Sequence, residues 1–125
     1  MQTFSIKTQS ARQIVDVTDQ VAALVRSSAK AVLVFCPHTT AAVYVNEFED
    51  QLSQDFLAVA ESWREKKWKH DASDGNAAAH LFASHLGASV LVPVENGKMT
   101  LGNWQKILLA ELDGPRKRTL NVQNL

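Results

Sequence analysis

The sequence predicts an α+β fold, a single domain in which about three helices pack on a mainly antiparallel split β-sheet. Three observations support this. Short alternating or β-branched apolar runs dominate both ends of the chain, apolar residues at helical spacing lie toward the middle, and strict βαβ alternation is absent. A length of 125 residues suits one domain spanning the whole chain.

Taken in order, Thr3–Ser10 places Phe4, Ile6 and Thr8 against polar neighbours, and Gln13–Val17 repeats the pattern with Ile14, Val15 and Val17. The two read as an opening hairpin. Thr18 or Asp19 then offers an N-cap for a helix through Ala29, with Val21, Leu24 and Val25 on one face. Ala31–Cys36 is apolar and β-branched enough for a central strand, and Ala42–Val45 resumes in register after Pro37-His38-Thr39-Thr40. Leu52, Phe56, Val59, Ala60 and Trp63 mark a helix over Glu49–Trp63, and the charge-rich Arg64–Asp74 reads as a surface loop. Asn76 or Asp74 opens a further helix that Gly87 closes. Ser89–Val94, a turn centred on Asn96-Gly97, and Met99–Leu101 read as a hairpin. Trp104–Leu112 and Arg118–Gln123 read as strands around an Asp113-Gly114-Pro115-Arg116 turn, with Leu120 and Val122 inward.

Composition narrows the function classes. Hydrophobic residues are 46% and charged residues 21% of the chain, as in globular domains rather than disordered or coiled-coil ones. Thirteen basic residues balance thirteen acidic ones, which removes the global attraction that non-specific nucleic-acid or anionic-membrane binding relies on. Cys36 is the only cysteine, so no intramolecular disulfide forms and no Cys-rich zinc module is possible. The start lacks a signal-peptide pattern and the apolar run Ala31–Cys36 is far short of a membrane span, so the expectation is a soluble, cytoplasmic protein without nucleic-acid or membrane partners.

The chemistry-bearing residues begin with four histidines. On a helical wheel, Ala78, Leu81, Phe82, His85 and Leu86 form one stripe, which makes His85 a structural residue on the core side. His80 points the opposite way, among small residues, where solvent exposure and close approach by another element both remain open. His38 follows Pro37 at a strand interruption, with the Thr39 and Thr40 hydroxyls beside it. His70 lies in the loop Lys66-Lys67-Trp68-Lys69-His70-Asp71. Arg116-Lys117-Arg118 at the last turn is either a solvated charged turn or a phosphate site, since the guanidinium fork matches phosphate oxygens. Glu47, Asp74 and Glu111 have no partner readable from sequence.

Five segments then occur in a distinctive order: Cys36-Pro37-His38-Thr39-Thr40-Ala41-Ala42, Val45-Asn46-Glu47, Asp74-Gly75-Asn76-Ala77-Ala78-Ala79-His80-Leu81, Leu101-Gly102-Asn103-Trp104-Gln105, and Glu111-Leu112-Asp113-Gly114-Pro115-Arg116-Lys117-Arg118. Together they resemble the YjbQ-like family, also called secondary thiamine-phosphate synthase enzymes, from about Ile6 to Val122. The loop reads Trp68-Lys69-His70 where relatives more often have tyrosine first, so a hydroxyl is lost while aromatic character is kept. Asn103 likewise stands where threonine is common.

The resemblance implies a homotrimer with its shared polar residues in a pocket near the subunit contacts. It implies a divalent metal ion, zinc or magnesium, on His38, His70 and His80, with Glu47, His38 and Asn46 as catalytic residues. Thr39, Thr40, Asn76, Trp104, Gln105, Arg116 and Arg118 would bind a small phosphorylated substrate. The implied reaction joins a pyrimidine pyrophosphate to a thiazole phosphate and releases pyrophosphate. Two alternatives stand beside it: metal-dependent hydrolysis of a small phosphorylated or acylated metabolite, and non-catalytic binding of an anionic metabolite.

Overall fold

The computed structural model describes residues 1–125. Its strands are β1 (Gln2–Lys7), β2 (Gln13–Asp16), β3 (Ala31–Phe35), β4 (Ala41–Asn46), β5 (Ser89–Glu95), β6 (Lys98–Met99), β7 (Lys106–Glu111) and β8 (Lys117–Asn124). The helices are α1 (Thr18–Ala22), α2 (Asp50–Ser62) and α3 (Ala77–Leu86). A five-stranded sheet runs β1-β8-β3-β5-β6 and a three-stranded sheet runs β2-β7-β4, with every pairing antiparallel.

Strand β7 shows how the layers stack. Ile107 through Glu111 are all buried, because the three-stranded sheet is covered on both faces. Ile107 and Leu109 face the five-stranded sheet and join Val32, Val34, Leu120 and Val122. Leu108 and Ala110 face the helices and join Ile14, Ala60, Phe82 and Ala83. The order of layers is therefore five-stranded sheet, three-stranded sheet, then α2 and α3. No helix of the chain is long and apolar enough to cross a membrane.

The expected fold class holds, and several local expectations do not. The opening hairpin is absent: β1 pairs with β8 and β2 with β7, in different sheets. Alternation fixes which face of a strand is buried but not its partner. Strand β2 is apolar on both faces, Ile14 toward the helices and Val15 toward the other sheet, and only the middle layer covers both. The first helix stops at Ala22 rather than Ala29. The Asn124 side chain accepts from Arg26 N–H at 2.9 Å and donates to the Leu24 carbonyl at 2.9 Å, capturing groups a continuing helix would use. Neither Thr18 nor Asp19 caps it; Asp16 accepts from the Thr18 N–H at 3.0 Å instead.

Elsewhere the chain follows local chemistry. Glu49 caps α2 by accepting from Leu52 N–H at 3.2 Å, and Gly87 ends α3 at φ 101°. Asn96 and Gly97 take positive φ of 51° and 77° in the tight β5–β6 turn, as a two-residue hairpin loop requires. The expected loop Arg64–Asp74 contains two short 3-10 turns, Trp63–Glu65 and Lys69–Ala72.

Candidate functional site

Six connections carry the chain from one sheet to the other, and three of them are β1–β2, β3–β4 and β7–β8. All three are tied to one buried ion pair. Glu111 ends β7 and Arg118 lies one residue into β8, at 0% and 2% exposure. Arg118 Nε donates to Glu111 Oε1 at 2.9 Å, and its Nη2 donates to the Thr40 hydroxyl at 2.9 Å and carbonyl at 3.1 Å. Thr8 Oγ1 donates to Glu111 Oε1 at 2.8 Å, and Asp113 N–H donates to Oε2 at 3.2 Å. Burial by itself would raise the Glu111 pKa, but Arg118, Thr8 and the Asp113 N–H outweigh it and hold the carboxylate below its ordinary range.

This corrects two expectations. Glu111 is paired, not free, and Arg118 is held within the chain by Glu111 and Thr40 rather than lying in a solvated turn or facing a phosphate. Alternation gives the reason: Arg118 shares the inward face of β8 with Leu120 and Val122. Thr40 is buried and engaged in the same network, while Thr39 remains exposed.

His38 stands beside this pillar. Its Nε2 lies 3.0 Å from both the carbonyl and the N–H of Thr119, occupying the place on β8 that β3 would fill if it ran on. Donation from Nε2 to the carbonyl leaves Nδ1 as the unprotonated nitrogen; acceptance from the N–H leaves Nδ1 protonated. The neighbouring Cys36 thiol is pushed up by burial, against the pull of the His38 N–H and Arg118.

A second cluster forms at the start of α3. Asp71 Oδ2 accepts from Trp68 N–H at 3.1 Å and Oδ1 from Ala77 N–H at 3.1 Å, so one carboxylate clips the loop to the helix start. These two N–H groups, Trp68 first, hold the Asp71 pKa down. The Trp68 indole donates to the Trp63 carbonyl at 2.9 Å. Clipped this way, His70 meets His80 edge to face, with ring centroids 4.8 Å apart and planes at 84°. Neither ring is hydrogen-bonded within the chain, unlike those of His38 and His85. A cavity of about 610 Å³ opens here, lined by both histidines with Lys66, Lys67, Trp68 and Lys69. These lysines lie in the segment that the sequence marks only as a charge-rich surface loop.

The structure thus brings two of the three expected metal-ligating imidazoles together. His38 does not join them within one chain, where no three His, Cys, Asp or Glu side chains gather in a way that could hold a metal ion. His85, expected on the core side, is exposed instead: Nδ1 bonds the Leu81 carbonyl at 2.9 Å and the ring packs edge-on against Trp63, at the rim of the helix layer.

The remaining candidates are dispersed. Asn46 is exposed and accepts from the Glu47 N–H at 2.8 Å, while the half-buried Glu47 carboxylate has no partner. Trp104 is 73% exposed in the turn before β7, and Gln105 accepts there from Gly102 N–H at 2.8 Å; neither lies in the expected strand. Asn76 Nδ2 donates to Asp113 Oδ2 at 3.0 Å, and Arg116 Nη2 donates to the same oxygen at 3.2 Å. Asp74 is exposed, and Asn76 occupies the N-cap position of α3.

Comparison with known proteins follows the same chain from end to end. The model of the UPF0047 protein YjbQ-like family matches residues 2–125. The chain belongs to this family. It is 49% identical to a UPF0047 protein of Archaeoglobus fulgidus, over 97% of this chain and 98% of that protein. It is 38% identical to UPF0047 protein YugU of Bacillus subtilis, over 98% and 97%. Among solved structures, APE1520 from Aeropyrum pernix K1 superposes with a TM-score of 0.92 at 39% identity, covering 99% of this chain and 96% of that one. A YjbQ/UPF0047 family protein from Clostridium acetobutylicum gives 0.91 at 36% identity, covering 100% of each chain. The two-sheet architecture is therefore shared with UPF0047 relatives across nearly their full length.

Proposed function

We propose that this UPF0047 protein is a metal-assisted transferase for small phosphorylated substrates, joining a pyrimidine pyrophosphate to a thiazole phosphate. The observation that carries the reading is the His70–His80 pair, whose rings are unbonded within the chain and open onto a lysine-lined cavity. In the reaction, the carbon–oxygen bond to pyrophosphate breaks, the thiazole nitrogen takes its place at carbon, and the electron pair departs on pyrophosphate. Fixed cations facing the departing phosphates lower the barrier to such a step. Lys66, Lys67 and Lys69 are the residues of this chain that would hold those phosphates.

The donor set suits zinc better than magnesium, because imidazole nitrogen fits a borderline-soft ion and magnesium prefers oxygen. A bound divalent ion would supply positive charge beside the leaving group. His70 and His80 provide two ligands, and a catalytic zinc site ordinarily has three. The third would be His38 from a neighbouring copy in a homotrimer, with Nε2 on the Thr119 carbonyl and Nδ1 left for an outside partner. Exposed Trp104 and Phe48 supply apolar surface for such a subunit contact.

The test is pyrophosphate release by the purified full chain from the paired precursors, with zinc or magnesium. Release that requires both precursors and is lost in His80→Ala supports the transferase. Phosphate release from one precursor alone would favour hydrolysis instead, for which the unpartnered Glu47 carboxylate is the candidate base. Binding of pyrophosphate without turnover would leave a metabolite-binding protein. A monomer mass by light scattering would remove the trimeric third ligand.

A further inference from the structure

Trp68 lines the cavity beside the histidine pair and is fixed at both of its ends. Its backbone N–H donates to Asp71 Oδ2 at 3.1 Å, and its indole Nε1 donates to the Trp63 carbonyl at 2.9 Å. The Lys66 ammonium lies over the face of this ring, 4.7 Å from its centre. Lys66 is exposed and Trp68 only half-buried, so the covered face borders solvent rather than the core. The indole is a rigid flat wall with one flexible cation laid across it.

An ammonium on an exposed indole face is held weakly. A phosphate offers the same ammonium a charge-assisted hydrogen bond, and the four-carbon stem lets Lys66 swing to it while the indole stays in place. The uncovered face then suits a planar ring in offset stacking. A cationic ligand could use that face too, but Lys67 and Lys69, which line the same cavity, repel it. An anion that carries an aromatic ring satisfies the lysines and the indole together.

We propose that Trp68 is the ring-binding platform of this cavity: it stacks an aromatic ring of a phosphorylated ligand, and Lys66 leaves the indole to hold the phosphate. Trp68 in this role rests on the reading of the lysine-lined cavity as a phosphate site, but the stacking itself requires neither a metal ion nor turnover.

Isothermal titration calorimetry of the full chain, without added metal, compares phenyl phosphate with cyclohexyl phosphate. The two esters carry the same charge and similar bulk, and only the first has a planar ring. Phenyl phosphate is expected to bind about tenfold more tightly. Trp68→Leu should remove that preference and Trp68→Phe should retain part of it, both checked for folding by circular dichroism. Lys66→Met should weaken both esters and leave the preference in place. Inorganic pyrophosphate, titrated in parallel, reports the phosphate site alone. If it binds while the two esters bind alike, the platform fails and the phosphate site stands. If phenyl phosphate is preferred but the paired precursors release no pyrophosphate, the transferase fails and the platform stands. No saturable binding of either ester, a preference that survives in Trp68→Leu, a Trp68→Phe chain no more selective than Trp68→Leu, or parental affinities in Lys66→Met would overturn the proposal.

Discussion

Glu111 with Arg118, and His70 with His80, are both pairs of ionisable side chains brought face to face by the fold, yet they differ in what surrounds them. The first is buried between two sheets, and Thr8, Thr40 and the Asp113 N–H complete its hydrogen bonds. The second lies beside an open cavity with no internal partner. A pair whose donors and acceptors are all engaged has nothing left to offer a ligand, so it organises the fold. A pair held in place by neighbours such as Asp71, with no hydrogen bond of its own within the chain, keeps its ring nitrogens available to the ligand proposed above.

Breaking the first pair is expected to have the largest effect. Arg118→Met leaves Glu111 buried without its cation and should cost about 3–5 kcal/mol in urea unfolding. Adding Glu111→Leu to that variant should recover a substantial part of the loss, because the uncompensated charge is gone. Breaking the second pair should leave stability almost untouched while removing function. His80→Ala is expected to lower pyrophosphate release by about 10²-fold or more and to shift unfolding by no more than about 0.5 kcal/mol.

Gly114 sharpens the contrast at the seam. A Cβ there would stand 2.6 Å from the Ser10 carbonyl oxygen and 2.8 Å from Glu111 Cγ, so Gly114→Ala should cost about 1–3 kcal/mol by displacing the ion pair, read by thermal unfolding. Acid separates the pairs as well. The folded Glu111 pKa lies below its unfolded value, so its contribution is fully present above the ordinary glutamate range and is lost as pH falls through the folded value. The stability gap between the parent and Glu111→Gln should therefore narrow as pH is lowered into that window, measured by urea unfolding at stepped pH. The smallest effect expected is that of Lys66→Ala, Lys67→Ala and Lys69→Ala combined. It should weaken pyrophosphate binding by about tenfold in calorimetry, and the remaining affinity should depend less on salt.

How far the sequence revealed this contrast depended on the kind of signal. Period-two alternation identified β8 and the burial of Leu120 and Val122, whereas helical spacing set His85 on the core side and the structure leaves it exposed. The same alternation placed Arg118 on the inward face, but the basic run Arg116-Lys117-Arg118 suggested a solvated turn or a phosphate site. Its partner Glu111 lies on another sheet's strand, across a connection that no periodicity reports. The exchange of strands between sheets was equally illegible, since β1 and β2 alternate as hairpin strands do and only the two-sided cover of β2 separates them. The His70–His80 encounter depends on Asp71 bonding Trp68 and Ala77, a side-chain clip rather than a pattern.

The most direct test of the contrast is equilibrium dialysis of the full chain against zinc, followed by metal analysis, for the parent, His70→Ala, His80→Ala and Glu111→Gln, each confirmed folded. The free histidine pair predicts one bound ion per chain in the parent, its loss in both histidine variants and its retention in Glu111→Gln. A parent that binds no zinc, or histidine variants that bind it as the parent does, would contradict the role given to His70 and His80.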